Sequence, residues 1–246
     1  MPNKDVGPDP IVVKDVEKQY GGLRPLRVRD LRVPPGRVTV LMGFDRIAAE
    51  VFVNLITGST LPDKGEVVSL TRPTGEIISG NEWLSFVEHF GIVSDRIVLL
   101  EAMTIAQNLA ISFDLDLDPI PADVATRVSL LAAEAGIDAA SLTTRVGEAP
   151  PLLRARIYLA RALAVDPAVL VLEHPTAQLA EQEAAEYAAL VRRIAEARHL
   201  TTLALVMDEK FAKATGGRLL FWQPATGEMR PPSRFALRRG WFTSER

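Results

Sequence analysis

The sequence predicts an α/β fold in which helices cover a mostly parallel sheet, with an antiparallel β part near the N-terminus and an inserted helical subdomain. The chain opens with short strand-like stretches, and its second half alternates strand and helix patterns. Between them, residues 104–163 are rich in alanine and leucine and contain no convincing strand. We therefore predict a core of residues 1–93 and 165–225, a helical subdomain of residues 94–164 and a C-terminal tail of residues 226–246.

The first part of the chain predicts strands that lead into a helix. Residues 11–20 and 26–33 are strand-like and are bounded by glycine and proline turn signals. Residues 37–42 form a β-branched, apolar run that ends at Gly43, and residues 46–57 then carry apolar side chains at helical spacing. The pattern therefore predicts a strand, a glycine turn and a helix in succession.

The next segment predicts a second group of short elements. Residues 66–78 resemble two strands around a turn at 73–75, and a short helix at 81–90 precedes a strand at 92–93. These strands complete the part of the core that precedes the helical subdomain.

The last part of the core predicts parallel strands connected by helices. Alternation of the two patterns implies parallel strands, because the connecting helices must cross over the sheet. Strands are predicted at 168–172, 201–206 and 218–222, and helices at 178–198 and 208–214.

Composition excludes several classes of function. The 246 residues include 48% hydrophobic and 24% charged residues, and no apolar run approaches the ~20 residues that span a bilayer. Residues 1–10 lack the basic start and apolar stretch of a secretory signal. The chain has no cysteine, and its formal net charge is -3. We expect no transmembrane segment, no thiol chemistry and no nucleic-acid partner.

The strand, turn and helix around Gly43 have the arrangement of a phosphate-binding loop, in which backbone N–H groups face an anion. A working loop reads G-x-x-x-x-G-K-[ST], with a lysine on the phosphates and a hydroxyl on Mg²⁺. When that motif is aligned on Gly43, Ala48, Ala49 and Glu50 replace its last three residues and Val51 follows. Two like charges about 4 Å apart at an effective dielectric of ~20 repel by roughly 4 kcal/mol. We expect phosphate binding at this loop to be weak or absent.

Arg46 leaves two interpretations open. Its guanidinium group can turn towards the loop and replace the missing lysine, or it can be an ordinary exposed arginine at the start of a helix, which is the commoner case.

Further segments have the order seen in one large family. Asn54-Leu55-Ile56-Thr57-Gly58 ends the predicted helix, and residues 62–67 and 99–109 follow with matching spacing. With these segments, almost the whole chain resembles the nucleotide-binding domain of ABC transporters, which has a P-loop NTPase-type core. The resemblance implies that Tyr20 takes the place of the aromatic residue that stacks on adenine. Ser94 or Asp95 stands where the family has the glutamine of its Q-loop.

The second half resembles the same family but departs from it at the polar positions. Residues 156–163 resemble the helix that follows the signature motif, and residues 169–176 resemble the Walker B strand. Prolines in the signature-equivalent segment lack the N–H groups that would meet a γ-phosphate. The five residues in place of L-S-G-G-Q are Ala149, Pro150, Pro151, Leu152 and Leu153.

Catalytic positions differ as well. The resemblance places Glu173 at the Walker B aspartate, which approaches Mg²⁺ through water, and His174 at the glutamate that polarises the attacking water. Met207 takes the place of the switch histidine, and residues 177–180 lack the aspartate of the D-loop. Each position also has a plain structural interpretation: Tyr20 as a strand aromatic, His174 as a packed turn residue and Met207 as part of the core.

The resemblance therefore implies a degenerate ABC-transporter ATP-binding subunit, a pseudo-ATPase that acts as a structural or regulatory component of a membrane transport complex. We expect no catalytic residue, no metal site and no cofactor. The implied partners are a membrane permease subunit, an active ABC ATPase subunit or both, in a possible homo- or heterodimer. The implied location is the cytoplasm, at the cytoplasmic face of a membrane.

Two alternatives remain. In the first, the chain still binds ATP and Mg²⁺ and hydrolyses ATP through a non-standard site, with Glu173 near Mg²⁺ and His174 as base. In the second, it is a soluble adaptor that uses the fold to bind another protein. The arginines and aromatic residues of the tail, residues 230–246, can touch an anionic membrane or a partner, or form a loosely ordered end.

Overall fold

A computed structural model describes residues 7–22 and 24–232 of the chain. Ten strands and seven α-helices are found in this part. The strands are β1 (Ile11–Lys18), β2 (Leu26–Val33), β3 (Val38–Met42), β4 (Lys64–Ser69), β5 (Arg72–Pro73), β6 (Phe90–Val93), β7 (Val169–Glu173), β8 (Thr201–Val206), β9 (Arg218–Gln223) and β10 (Glu228–Arg230). The helices are α1 (Arg46–Ile56), α2 (Gly80–Val87), α3 (Ile105–Ala110), α4 (Ala122–Glu134), α5 (Pro151–Ala164), α6 (Glu181–Arg198) and α7 (Glu209–Ala214).

The strands form two sheets. An antiparallel sheet has the order β2-β1-β4-β5, and a six-stranded sheet has the order β10-β9-β3-β8-β7-β6. In the second sheet, β9, β3, β8, β7 and β6 are parallel and β10 is antiparallel to β9. The predicted α/β fold, with a mostly parallel sheet and an antiparallel β part near the N-terminus, is confirmed.

The parallel strands are apolar on both faces because each face of the sheet packs against a different hydrophobic cluster. Leu41 of β3 belongs to the cluster that contains α1 and the antiparallel sheet, whereas Val40 belongs to the cluster of α3, α4, α5 and α6. The strands therefore hold the loops at their carboxyl ends in fixed positions, and it is there that the candidate site lies.

Residues 94–164 contain α3, α4, α5 and two short 3₁₀ segments, Ala139–Thr143 and Val146–Glu148, and no strand. In the described part of the chain, no helix is both long enough and apolar enough to span a membrane.

The predicted position of the turn between the two strands of residues 66–78 is wrong. The chain reverses at Leu70 and Thr71, with φ of 52° and 68°, and not at residues 73–75. Pro73 instead pairs with Val68 in β5, which is tolerated because β5 is an edge strand and proline has no N–H to donate. Residues 74–76 form a 3₁₀ turn.

The beginning of the predicted tail contains a strand that the sequence does not predict. Strand β10 pairs with β9, and the backbone N–H of Arg29 donates to the carbonyl oxygen of Gly227 at 2.8 Å. Residues 233–246 of the predicted tail lie outside the described residues.

Candidate functional site

The loop that follows β3 has the predicted succession of strand, glycine turn and helix. Gly43 adopts φ of 98°, and a Cβ atom at this position would lie 3.0 Å from the carbonyl oxygen of Trp222. A side chain is therefore excluded both by backbone conformation and by space. Helix α1 begins three residues later, at Arg46.

Asp45 caps this helix. Its Oδ1 accepts a hydrogen bond from the backbone N–H of Ala48 at 2.8 Å, and its backbone is extended, as at an N-cap. The carboxylate places a negative charge at the positive end of the helix dipole, where a phosphate loop would place its ligand. The chain thus supplies its own anion to the helix. An aspartate directly before a helical pattern is the sequence signal for this role, but the sequence-based prediction did not use it.

Phe44 anchors the loop on the side that faces the sheet. Its side chain is fully buried and its ring stacks on Trp222, with a centroid distance of 4.2 Å and an interplanar angle of 19°. Ala48 and Ala49 are also fully buried in the same hydrophobic cluster. The loop is therefore anchored by apolar packing on the side that faces the sheet.

Arg96 connects the carboxylates of Glu50 and Glu173, two residues that the sequence resemblance places at motif positions. Its Nη2 lies 2.6 Å from Oε2 of Glu173, and its Nε lies 3.1 Å from Oε1 of the same carboxylate. Its Nη1 lies 3.5 Å from Oε1 of Glu50. The Glu173 side chain is only 3% exposed, so its charge is buried and is compensated by this guanidinium group.

The charge on Arg96 is itself stabilised. Burial opposes it, but the hydrogen bond with Glu173 and the charges of Glu173, Glu50 and Asp95 together raise the pKa of Arg96 above its ordinary value. Ser94 positions the residue, because its buried hydroxyl accepts a hydrogen bond from the Arg96 backbone N–H at 3.2 Å. The sequence-based prediction gave no role to Arg96.

Arg46 is an exposed residue at the start of α1 and pairs with Asp95, with Nη2 at 2.6 Å from Oδ2. Its partner occupies the predicted Q-loop position. Glu50, Asp95, Glu173, Arg46 and Arg96 form an ionic cluster with a formal charge of -1: Arg96 contacts Glu50 and Glu173, Arg46 contacts Asp95, and the charge of Asp95 also raises the pKa of Arg96.

His174 follows the end of β7 in a left-handed backbone conformation, with φ of 45°. Its backbone N–H donates to the carbonyl oxygen of Leu205 at 2.9 Å. The ring Nε2 atom is buried and has no hydrogen-bond partner among the described residues. The ring lines a cavity of about 190 Å³ together with Arg46, Asp95, Glu173, Ala177 and Met207.

Met207 does not belong to the core, so the structural interpretation considered for it is wrong. The residue is 57% exposed, because β8 ends at Val206 and Asp208 caps the next helix. Met207 lines the same cavity as His174. A thioether is at most a weak hydrogen-bond acceptor and donates no hydrogen bond.

Tyr20, which the resemblance places against adenine, packs partly buried against the hydrophobic cluster that contains Phe44 and Phe52. Its ring covers Gly22, where a Cβ atom would lie 2.9 Å from Cζ of the ring. Burial, and to a lesser degree the charge of Asp45, raise the pKa of the Tyr20 hydroxyl. The charge of the capping carboxylate therefore acts on the Tyr20 hydroxyl.

The signature-equivalent segment forms the start of α5. Pro150 precedes the helix and Pro151 is its first residue, so neither has an N–H to offer to an anion. Pro151 lines a small cavity of about 40 Å³ together with Ser94, Asp95 and His174. Ala149 is buried, and Leu152 and Leu153 are partly buried against the larger hydrophobic cluster.

An ion pair holds this helix start in place. Arg154 donates to both carboxylate oxygens of Glu101, at 2.6 and 3.0 Å, and to the carbonyl oxygen of Val146 at 3.0 Å. The hydrogen bond from Arg154 lowers the pKa of Glu101.

Comparison with curated proteins finds relatives among import ATP-binding proteins. The sulfate/thiosulfate import ATP-binding protein CysA of Thermosynechococcus vestitus is 29% identical over 215 residues, covering 85% of this chain and 60% of the relative. The protein of the same name from Mycolicibacterium paratuberculosis is 28% identical over 220 residues, covering 87% and 57%. The chain therefore spans about three fifths of the length of these relatives. A scan against models of known protein families finds no match.

Comparison with solved structures gives the same fold. CbiO1 from Clostridium perfringens, described as part of the ABC transporter complex CbiONQ, superimposes with a TM-score of 0.75 at 18% identity, covering 91% of this chain and 87% of that one. The dimeric structure of MJ0796, described as a bacterial ABC transporter cassette, gives a TM-score of 0.71 at 19% identity, covering 89% and 96%.

Proposed function

Because the chain belongs to the family of ATP-binding cassette ATPases, we propose that it is a cassette subunit of a membrane transport complex that no longer hydrolyses ATP. In this role it is a structural or regulatory component. It docks on a permease subunit, on an active cassette ATPase or on both, at the cytoplasmic face of the membrane.

The observation that carries the proposal is the position of the Arg96 guanidinium group. In a working P-loop site, Mg²⁺ is held between the serine or threonine of the loop and the Walker B aspartate. The resemblance assigns Glu50 and Glu173 to these two positions, and Arg96 lies within hydrogen-bond distance of both carboxylates. Mg²⁺ needs oxygen ligands in near-octahedral geometry, and a guanidinium group between the carboxylates does not fit it.

The capping carboxylate of Asp45 supports the same proposal on the phosphate side. The hydrogen bond from the Ala48 N–H to Asp45 occupies a donor that would face a phosphate. An incoming phosphate would also meet a fixed negative charge. Both parts of Mg²⁺-ATP would therefore have to displace a group that belongs to the chain.

The signature-equivalent segment bears on whether the chain could still complete a partner's ATP site. Two cassettes in an ABC transporter sandwich ATP, so each site uses one subunit's Walker motifs and the other's signature. A subunit with only its Walker residues altered can still complete its partner's site. Here Pro150 and Pro151 alter the signature surface too. This favours a scaffolding or gating role, or a complex in which other subunits supply a complete ATPase pair.

One observation favours the alternative of a remaining ATPase activity. His174 lines the 190 Å³ cavity beside Glu173, its buried Nε2 atom has no hydrogen-bond partner among the described residues, and a neutral imidazole can act as a general base. Turnover above background that His174→Ala abolishes would establish this alternative and contradict the pseudo-ATPase proposal.

The first test is isothermal titration of the whole chain with ATP up to millimolar concentration, with and without Mg²⁺, together with a phosphate-release assay. We expect no Mg²⁺-dependent saturable heat and no turnover. Binding at micromolar affinity that requires Mg²⁺ would contradict the proposal.

A repair series tests the physical reason. The triple variant Ala48→Gly, Ala49→Lys, Glu50→Thr restores the loop motif, and we expect it to remain deficient because Arg96 still holds Glu173. Adding both Arg96→Gln and Asp45→Ala to the triple variant removes the two internal groups and is expected to give Mg²⁺-dependent ATP binding. If the triple variant alone binds Mg²⁺-ATP, Arg96 does not exclude the metal.

Co-purification from membranes tests the partner. Under the proposal, a permease accompanies the tagged chain after detergent extraction. Recovery of soluble partners only would favour the adaptor alternative.

A further inference from the structure

A second polar groove lies at the other end of β3 from the Gly43 loop. Its walls are the start of β3, one side of α6 and the segment that connects α7 to β9, and its volume is about 310 Å³. Strand β3 has five residues, so the groove lies about 17 Å from the ionic cluster along the strand direction. The two regions are therefore separate.

Three arginines line the groove, and they outnumber its acidic residues. Arg37, Arg192 and Arg218 face one carboxylate, Glu196, which gives a formal charge of +2. In the described residues, the Arg37 side chain makes no ion pair. Arg192 uses its Nε to donate to Glu196 at 2.8 Å, and Arg218 uses one Nη1 to donate to the carbonyl oxygen of Arg32 at 3.2 Å. Most guanidinium donors of the groove are thus available to a ligand.

The backbone at Gly216 leaves room for the guanidinium group of Arg192. Gly216 adopts φ of 65°, and a Cβ atom there would lie 3.3 Å from Nη1 of Arg192. Any larger residue would strain the turn and push against the guanidinium group. The position of Arg192 over Gly216 is therefore part of the local architecture.

We propose that this groove binds a small polyanion that carries phosphate or sulfate groups. Arginine presents a planar set of donors that matches oxyanions in a bidentate manner. The volume lies at the lower end of the range for small-molecule sites and is large enough for more than one tetrahedral anion. A diphosphate or an organic phosphate ester therefore fits better than a single inorganic ion. This inference does not depend on the proposed function, because none of its residues belongs to the nucleotide-binding loop.

The test is isothermal titration of the full chain with pyrophosphate and, separately, with sulfate, in buffer of low ionic strength. We expect saturable binding of pyrophosphate by the wild type and at least tenfold weaker binding by Arg37→Gln/Arg192→Gln. Arg193→Gln is the matched control, because Arg193 lies on the same helix but does not line the groove. Thermal melts of each variant establish that it is folded.

The pyrophosphate and sulfate titrations, together with the Arg193→Gln control, test the proposal. Binding of pyrophosphate but not of sulfate supports a polyanion that carries more than one phosphate group, and binding of sulfate alone would contradict the proposal. No saturable binding by the wild type, or equal losses in the double variant and the Arg193→Gln control, would overturn the proposal. Arg96→Gln is expected to leave the binding unchanged, so failure here is distinguishable from failure of the pseudo-ATPase proposal.

Discussion

Replacing Arg96 by glutamine is the perturbation that most directly tests how the ionic cluster is held together. The substitution removes the guanidinium group from Glu173, whose side chain is 3% exposed and lies at the end of β7. Glutamine is polar but shorter than arginine, and it has no charge. The Glu173 carboxylate would then remain buried without a counter-ion.

The expected magnitude follows from the burial of the two partners. Breaking a buried ion pair by removing one partner costs about 3–5 kcal/mol. Arg96 itself is 32% exposed, so water can reach part of the vacated space and the lower value of about 3 kcal/mol applies. For a domain of this size, each kcal/mol shifts Tm by about 2–4 °C. We therefore expect Tm of Arg96→Gln to fall by about 6–12 °C.

A double-mutant cycle separates the ion pair from general damage. The variants are Arg96→Gln, Glu173→Gln and the double substitution, each measured by urea denaturation and by thermal melting. We expect a coupling free energy of about 2 kcal/mol, since contacting charged residues couple by 0.5–3 kcal/mol. Arg46→Gln is the control: its pair with Asp95 involves a side chain that is 69% exposed, so we expect a loss below about 1 kcal/mol. Additive effects of the two substitutions, or a Tm loss equal to that of Arg46→Gln, would show that Arg96 and Glu173 are not a buried, coupled ion pair.

Three further predictions concern the loop and the helix start. Asp45→Ala removes the N-cap of α1 and should lower the free energy of unfolding by about 1 kcal/mol, with a smaller loss for Asp45→Asn, both measured by urea denaturation. Phe44→Ala deletes a fully buried ring that stacks on Trp222 and should cost about 3–5 kcal/mol in the same assay; a loss below about 1 kcal/mol would show that the ring is not packed as described. Because Arg154 lowers the pKa of Glu101, the pair stabilises the fold at pH values above the ordinary pKa of 4.5 and loses this effect as the pH falls through the lowered pKa. Melts from pH 7 downward should therefore show a Tm difference between the wild type and Glu101→Gln at neutral pH that narrows below pH 4.5, and a constant difference would contradict this.

Much of the fold could be predicted because its elements carry their own local signals. Strand β8 is buried along its whole length, and an uninterrupted apolar and threonine run reports this directly. The reversal at Leu70 and Thr71 has no such signal, because neither residue is a glycine although both have positive φ. Strand β10 was missed because three residues are too few to form a pattern and its pairing depends on the presence of β9.

The candidate site was predictable only where its residues are close in sequence. Aligning the loop motif on Gly43 predicted the roles of residues 48–50, because such a motif is defined by the spacing of its residues along the chain. The partners Arg96 and Glu173 are 77 positions apart, and no local pattern relates them. In the structure, Glu50 carries a charge that Arg96 compensates, so the repulsion expected from Glu50 alone is partly offset.

Arg96 and Asp45 act together against a ligand that would compete for their partners. Arg96 and Asp45 are covalently part of the chain, so they contact their partners without the loss of translational and rotational freedom that a free ligand incurs on binding. A ligand that competes with them must break the Arg96 ion pair and the helix cap while incurring that loss itself. The ionic cluster is therefore stable without nucleotide, and restoring one motif residue removes only one of several obstacles. Under the proposed function, a cassette of this kind keeps one conformation at all nucleotide concentrations, as a structural subunit must and an ATPase that cycles cannot.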